Sequence, residues 1–147
     1  MRRLTFVVAL AALAVLAAGV SATTAVAKTR HRVALTAVGA QVGPTESVYE
    51  VHGTYRGALV QLFKIDPAGT AGTSTSTLYD GHGTMVSREV FNLSPPDANG
   101  IVAINGTGRW VSGTGKYKGI KGTNKFTGTF NTQTTVTSVK VVGTQTY

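Results

Sequence analysis

Residues 109–130, RWVSGTGKYKGIKGTNKFTGTF, decide the fold that we expect for this chain. Glycines at positions 113, 115, 119, 122 and 128 lie among aromatic and cationic residues. Glycine adopts positive φ at little steric cost, so such a run is typical of a chain that turns tightly. From position 123 onward, threonine and lysine alternate with Asn124, Phe126, Gly128 and Phe130, which is the period of a β-strand. The segment therefore predicts a tight turn that leads back into a strand.

The first 27 residues have the pattern of a secretory signal peptide. Two arginines at positions 2 and 3 precede an uncharged run rich in alanine, leucine and valine, and the segment ends in Ala25-Val26-Ala27. The uncharged run of 17 residues is at the short limit for a membrane span. We expect a helical signal peptide, residues 1–27, cleaved near Ala27, and a secreted protein; an anchor that is retained is the alternative.

The remaining part, residues 28–147, is long enough for one domain with a core. Because the sequence has no cysteine, disulfides, thiol catalysis and cysteine-bound metals are excluded. A secreted domain without disulfides needs a well-closed sheet, which favours a β-barrel.

All six acids lie at or before Asp97, and the C-terminal third carries only basic charges. A cationic turn at Lys116, Lys118, Lys121 and Lys125 can meet an anionic surface, although solubility alone explains such lysines equally well. We expect no specific nucleic-acid partner.

Short strand-like runs separated by turn signals follow one another along residues 28–147, and no long helical pattern appears among them. The predicted strands cover residues 32–39, 48–56, 58–66, 73–79, 84–93, 100–110, 121–130 and 134–143. Eight such strands predict an all-β fold, an eight-stranded antiparallel closed β-barrel. Both faces of residues 58–65 are apolar, so we expect a cover on the outside of the barrel, such as a second or third copy of the chain.

The run Gly113-Thr114-Gly115-Lys116-Tyr117, with Gly119 and Gly122 after it, resembles the signature of the allene oxide cyclase and dirigent group of barrels. The strand that ends in Thr127-Gly128-Thr129-Phe130 extends the similarity. In all, the similarity covers about 50 residues, which is roughly the length of three long strands and their turns. The chain departs from the pattern at Ile120, where the group commonly has alanine. The resemblance implies an eight-stranded barrel, often trimeric, whose cavity takes hydrophobic small molecules. Allene oxide cyclases close a fatty-acid epoxide, and dirigent proteins steer the coupling of phenoxy radicals.

Glu89 is the strongest candidate for chemistry, because it shares a strand face with Met85, Ser87 and Phe91. A carboxyl group on an apolar face is expected to have a raised pKa and can serve as a general acid or orient a ligand hydroxyl. A position at the barrel rim or a buried ion pair is the alternative. Candidates for the lining of a ligand cavity are aromatic: Tyr49, Tyr55, Phe63, Phe91 and Trp110.

A second group, Glu50, His52 and Arg56, shares one face of the second predicted strand and is either an acid/base pair or a solvated surface group. The three histidines have no metal-ligand spacing, so we expect neither a metal nor a cofactor.

We therefore expect a secreted barrel that binds or confines a small hydrophobic or phenolic molecule. A cofactor-free cyclase or isomerase with Glu89 as its catalytic residue is one alternative, and a cationic structural or adhesive envelope protein is another. Whether the protein is an enzyme stays open at this point.

Overall fold

The computed structural model describes residues 28–147, and the expected signal peptide lies outside these residues. Eight strands follow one another: β1 (Arg30–Gly43), β2 (Glu46–Gly53), β3 (Gly57–Ile65), β4 (Ala71–Asp80), β5 (Gly83–Leu93), β6 (Ile101–Gly113), β7 (Lys121–Asn131) and β8 (Val136–Thr146). A single 3-10 turn, Gly115–Tyr117, lies between β6 and β7. Within residues 28–147, no helix is long and apolar enough to cross a membrane.

Each strand pairs antiparallel with its neighbours in sequence, and β8 pairs with β1 to close the barrel. The closing ladder is long, running from Arg30 opposite Thr146 to Ala40 opposite Val136. Closure leaves no unpaired sheet edge. The predicted eight-stranded antiparallel closed barrel is confirmed.

Alternation along the strands sends apolar side chains inward. Val33, Leu35 and Ala37 of β1 are buried in this way, and so are Tyr49 and Val51 of β2. Two-residue periodicity places every second side chain of a strand on the same face, so these positions line the barrel interior.

The predicted end of the second strand is wrong: we expected this strand to end at Arg56, and β2 ends at Gly53. Thr54 makes the hydrogen bonds to β1 that a further ladder position would have made. Its side-chain oxygen accepts a hydrogen bond from the Ala34 N–H at 2.9 Å, and its own N–H donates to the Ala34 carbonyl at 2.9 Å. The chain bends there, and Tyr55 is still buried after the strand has ended. Arg56 consequently lies outside β2 and does not share its face with Glu50 and His52.

The glycine-rich segment forms the connection from β6 to β7. Gly115 has φ +55°, and a Cβ there would lie 2.2 Å from the His82 carbonyl oxygen. Gly122 has φ +148°, and a Cβ there would lie 2.0 Å from the Thr144 carbonyl oxygen. Side chains at these two positions would collide with neighbouring backbone, so glycine is required by close approach as well as by φ.

Candidate ligand site inside the barrel

Glu89 points into the barrel and is hydrogen bonded by three serine hydroxyls. Ser74 of β4 donates to Oε2 at 2.6 Å, Ser76 donates to the same oxygen at 3.0 Å, and Ser87 donates to Oε1. Only 8% of Glu89 is exposed. Burial raises the pKa of the Glu89 carboxyl above its usual value, while the bonds from Ser74, Ser87 and Ser76 act in the opposite direction. The carboxyl is therefore neither at the rim nor in an ion pair: hydroxyl groups are its partners.

The hydrogen-bond network extends from the serines to β2 and β3. The Tyr49 hydroxyl donates to Gln61 Oε1 at 2.9 Å. The Gln61 amide in turn donates to Ser74 Oγ at 3.2 Å and to Ser76 Oγ at 3.4 Å. Each group in this series of hydrogen bonds donates to the next one, and the last donors reach Glu89. Such an arrangement can satisfy an ionised carboxylate.

Gly108 leaves a gap beside Glu89. It lies opposite Glu89 in the β5–β6 ladder and opposite Asn124 in the β6–β7 ladder. A Cβ at this position would be 2.8 Å from Glu89 Cγ and 2.8 Å from Asn124 Oδ1. The absence of a side chain at Gly108 thus lets a carboxyl and a carboxamide face the interior from either side of it.

Two connected chambers occupy the barrel interior. The first, which we call the carboxylate chamber, has a volume of about 90 Å³ and is lined by Glu89, Asn124 and Trp110 among apolar side chains. The second, which we call the phenylalanine chamber, also has a volume of about 90 Å³ and reaches one barrel end at Phe63, Phe130 and Ile65. The residues that line both chambers form the constriction between them: Tyr49, Gln61, Phe91, Ile104 and Thr137.

The aromatic candidates fall into two groups. Tyr49 and Phe91 lie at the constriction, Trp110 lines the carboxylate chamber, and Phe63 lines the phenylalanine chamber. Tyr55 lines neither chamber. These five side chains are thus divided between the interior space and a separate aromatic cluster.

That cluster, which we call the tyrosine plug, fills the barrel end at which β1 begins and β8 ends. The Tyr117 ring packs edge-on against Tyr55 and Tyr147, with centroids 5.6 Å and 5.2 Å away, and its hydroxyl donates to Asp80. His31 stacks on Tyr147 at 4.6 Å. Burial and the nearby Asp80 carboxylate both raise the pKa of Tyr117. The plug and the phenylalanine chamber therefore lie at opposite ends of the barrel.

Two buried polar groups lack a hydrogen-bond partner within the described residues. They are the Trp110 indole N–H and the Gln145 carboxamide. Both residues point inward on strands that flank β7 at Gly122, because Trp110 and Gln145 are each paired with that glycine. A buried donor without a partner costs free energy, and Trp110 lines the carboxylate chamber, so its indole N–H is a candidate donor to a ligand there.

The other candidates lie on the outer surface. Glu50 Oε1 and His52 Nε2 lie 3.0 Å apart, and both side chains are more than half exposed, which is the solvated arrangement expected from the alternation of β2. Lys116, Lys118, Lys121 and Lys125 are all exposed, on the turn before β7 and on its outer face. Among residues 28–147, no three histidine, aspartate or glutamate side chains cluster closely enough to hold a metal ion.

Sequence reasoning missed most of the polar interior. The Thr-Ser alternation of residues 73–77 has a polar residue at every position, so nothing in it distinguishes the inward Ser74 and Ser76 from the outward threonines. Ser87 and Asn124 did carry a signal, because each shares a face with buried apolar residues of its own strand. Gly108 carried none, because its role depends on the two strands that flank it.

No protein-family model, curated protein or solved structure matches the chain.

Proposed function

We propose that this barrel binds a small aromatic molecule with one ring and a hydrogen-bonding substituent, such as a phenol, in the carboxylate chamber. The observation that carries the proposal is the chamber itself, whose mostly apolar lining includes the buried Glu89 carboxyl, the Asn124 carboxamide and the side chain of Trp110, whose indole N–H has no partner among the described residues. Ligand pockets generally combine apolar walls with a few polar groups that fix orientation.

The polar groups suit a ligand that both donates and accepts hydrogen bonds. Glu89 accepts a hydrogen bond when it is ionised, and Asn124 can donate or accept. Trp110 only donates, so its indole N–H would meet an oxygen of the ligand. A phenol hydroxyl offers one donor and two lone pairs and can therefore satisfy groups of both kinds.

The volume of the interior limits the size of the ligand. A dry cavity of about 150 Å³ accepts benzene, and pockets for drug-sized molecules generally have about 300–1,000 Å³. Each chamber here has about 90 Å³, and the two meet at the constriction. A single ring fits if Phe91 or Ile104 moves slightly, whereas a long fatty-acid epoxide does not. The volume favours binding over the cyclase alternative for that reason.

The expected signal peptide indicates where the protein would meet its ligand. A secreted barrel would meet small phenolic molecules outside the cell. Neither secretion nor assembly with a second or third copy of the chain is needed for the chamber to bind a ligand.

The test is a titration of residues 28–147 with phenol and with benzene, followed by two-dimensional NMR and by thermal unfolding. We expect phenol to shift the signals of Trp110 and Asn124 and to raise Tm as its concentration increases, because a ligand that binds only the folded state stabilises it. Benzene has the same ring without the hydroxyl, so it should bind more weakly.

The matched variants are Glu89→Gln and Glu50→Gln, which remove the same charge inside and outside the barrel. Hydrogen bonds to a charged group are stronger than those to a neutral group, so Glu89→Gln should weaken phenol binding about tenfold. Glu50→Gln should leave it within about twofold, because its side chain is exposed. Equal binding of benzene and phenol, or equal effects of the two variants, would contradict the proposal.

A further inference from the structure

The outer face of β3 to β6 carries an open groove of about 950 Å³ that lies on the other side of the wall from the carboxylate chamber. Two rows of outward side chains run across these four strands. The first row is Leu62, Thr75, Arg88 and Arg109, and the second is Lys64, Thr73, Val90 and Thr107. The strand positions between the two rows have inward side chains, so their backbone forms the floor of the groove.

Arg88 and Arg109 lie directly opposite each other in the β5–β6 ladder. Like charges at opposite positions of an antiparallel pair destabilise the sheet. Among residues 28–147, no carboxylate lies within ion-pair distance of either arginine. The nearest acid in the same row is Glu46, opposite Leu62 and three strands from Arg88, a distance of about 14 Å at about 4.8 Å per strand. The pair is a local excess of positive charge without compensation.

A β-bulge adjoins the arginine pair. The register between β5 and β6 shifts between Val86 and Ser87, immediately before Arg88. Bulges bend a strand and redirect the side chains near them, and they are frequent beside functional sites.

Apolar side chains in the groove are also exposed. Leu62 is 55% exposed and lies in the arginine row, and Val90 is 58% exposed and lies in the second row. Thr75 lies between Leu62 and Arg88, Thr73 lies between Val90 and Lys64, and Thr107 ends the second row; all three add hydroxyl donors. The groove therefore combines an anion-binding pair with an aliphatic surface in one concave space.

We propose that this groove binds an amphiphilic anion, a molecule with a carboxylate or phosphate head group on a single aliphatic chain. The two guanidinium groups bind the oxygens of the head group with several N–H donors, as arginine does with carboxylates and phosphates. Lys64 adds a third positive charge, and the chain lies along Leu62 and Val90. Binding neutralises the repulsion between Arg88 and Arg109, so the same contact that holds the ligand removes a cost to the sheet.

The small apolar area argues for single molecules over a lipid surface. Leu62 and Val90 are the two exposed aliphatic side chains of the groove, whereas a face that binds a bilayer carries a broader apolar surface. A groove of about 950 Å³ lies within the range of small-molecule pockets.

The test is calorimetric titration of residues 28–147 with decanoate and with decyl phosphate, each below its micelle concentration. Acetate and inorganic phosphate supply the same head groups without the chain, and decyltrimethylammonium supplies the chain with a positive head. We expect both long-chain anions to bind, the short anions to bind at least about tenfold more weakly, and the cation not to bind. The two anion arms show whether carboxylate or phosphate is preferred.

Arg88→Gln and Arg109→Gln are the test variants, and Lys140→Gln, which removes one positive charge from the outer face of β8, is their control. Each arginine variant should weaken binding of the long-chain anions about tenfold or more, and the control should leave it within about twofold. NMR shifts at Thr75 and Thr107 should accompany binding. Equal weakening by Lys140→Gln, shifts confined to the barrel interior, or no binding of either long-chain anion would overturn the proposal. These readouts do not depend on whether phenol binds inside.

Discussion

Replacement of Gly108 by alanine should test whether the gap between Glu89 and Asn124 exists as described. The added Cβ would lie 2.8 Å from Glu89 Cγ and 2.8 Å from Asn124 Oδ1, whereas ordinary contacts begin near 3.4 Å. Asn124 Oδ1 is the end of a side chain and can rotate. Glu89 Cγ is in the middle of a chain whose carboxylate is held by three hydroxyls, so it moves only if those hydrogen bonds are disturbed.

Overpacking of a buried site costs about 1–3 kcal/mol, and we expect Gly108→Ala to lower the free energy of unfolding by about 2 kcal/mol. For a domain of this size that corresponds to a decrease in Tm of about 8 °C, at about 4 °C for each kcal/mol. The variant should also lose phenol binding, because its methyl group fills the space between the two polar groups.

The measurement is urea unfolding followed by tryptophan fluorescence, since Trp110 is the only tryptophan of the chain and is buried. Gly81→Ala is the control, because a Cβ at Gly81 would meet no atom within 4 Å. That variant should stay within about 0.5 kcal/mol of the parent protein. If Gly108→Ala were as stable as Gly81→Ala, the gap and the packing argument built on it would be refuted.

Three further predictions concern Glu89, Arg88 and Tyr117. Burial raises the pKa of Glu89 in the folded state above that in the unfolded state, which is about 4.3. The stability of the parent protein relative to Glu89→Gln should therefore be greatest below about pH 4.3 and should fall as pH rises through the higher folded pKa. Urea unfolding at several pH values measures this difference, and parallel pH profiles of the two proteins would contradict it. Arg88→Thr should raise the free energy of unfolding by about 0.5 kcal/mol in the absence of ligand, because it removes the repulsion by Arg109, and a loss of stability would count against that repulsion. Tyr117→Phe should lower the free energy of unfolding by about 1–2 kcal/mol, because Asp80 loses a hydrogen bond within the tyrosine plug, whereas Tyr79→Phe at an exposed position should change little.

The order and number of the strands were predictable from the sequence, because turn residues separate the strands at regular intervals. The turn at residues 113–122 shows why: Gly115 and Gly122 are required both by φ and by close approach to backbone, so their spacing reports the geometry directly. The end of β2 was not predictable. The alternation of Tyr49 and Val51 continues to Tyr55, but the strand ends at Gly53 because Thr54 bonds to Ala34, twenty residues earlier. A contact of that range leaves no local pattern.

The candidate site was predictable only where one strand carries both an apolar face and a polar exception. Glu89 was found in that way, because Met85, Ser87 and Phe91 define the face on which it lies. Its partners Ser74 and Ser76 come from a strand with polar residues on both faces, and barrel closure alone decides which face is inside. The Arg88–Arg109 pair was also hidden, because two arginines separated by twenty residues become neighbours only through the register of β5 and β6.

The buried cluster around Glu89 is difficult to explain as a contribution to stability. Replacing a buried charged group and its partners by apolar side chains of similar volume is often neutral or stabilising. A domain without cysteine would gain more from an apolar interior than from a buried carboxyl group that needs hydrogen bonds from three hydroxyls. The same strand places Arg88 outside, opposite a second arginine, where a threonine or glutamate would stabilise the sheet. Two adjacent positions of β5 thus each carry an ionisable side chain that the fold does not need, one facing a chamber and the other facing a groove. Local costs of this kind are typical of binding sites, because the groups that would compensate them come from a ligand.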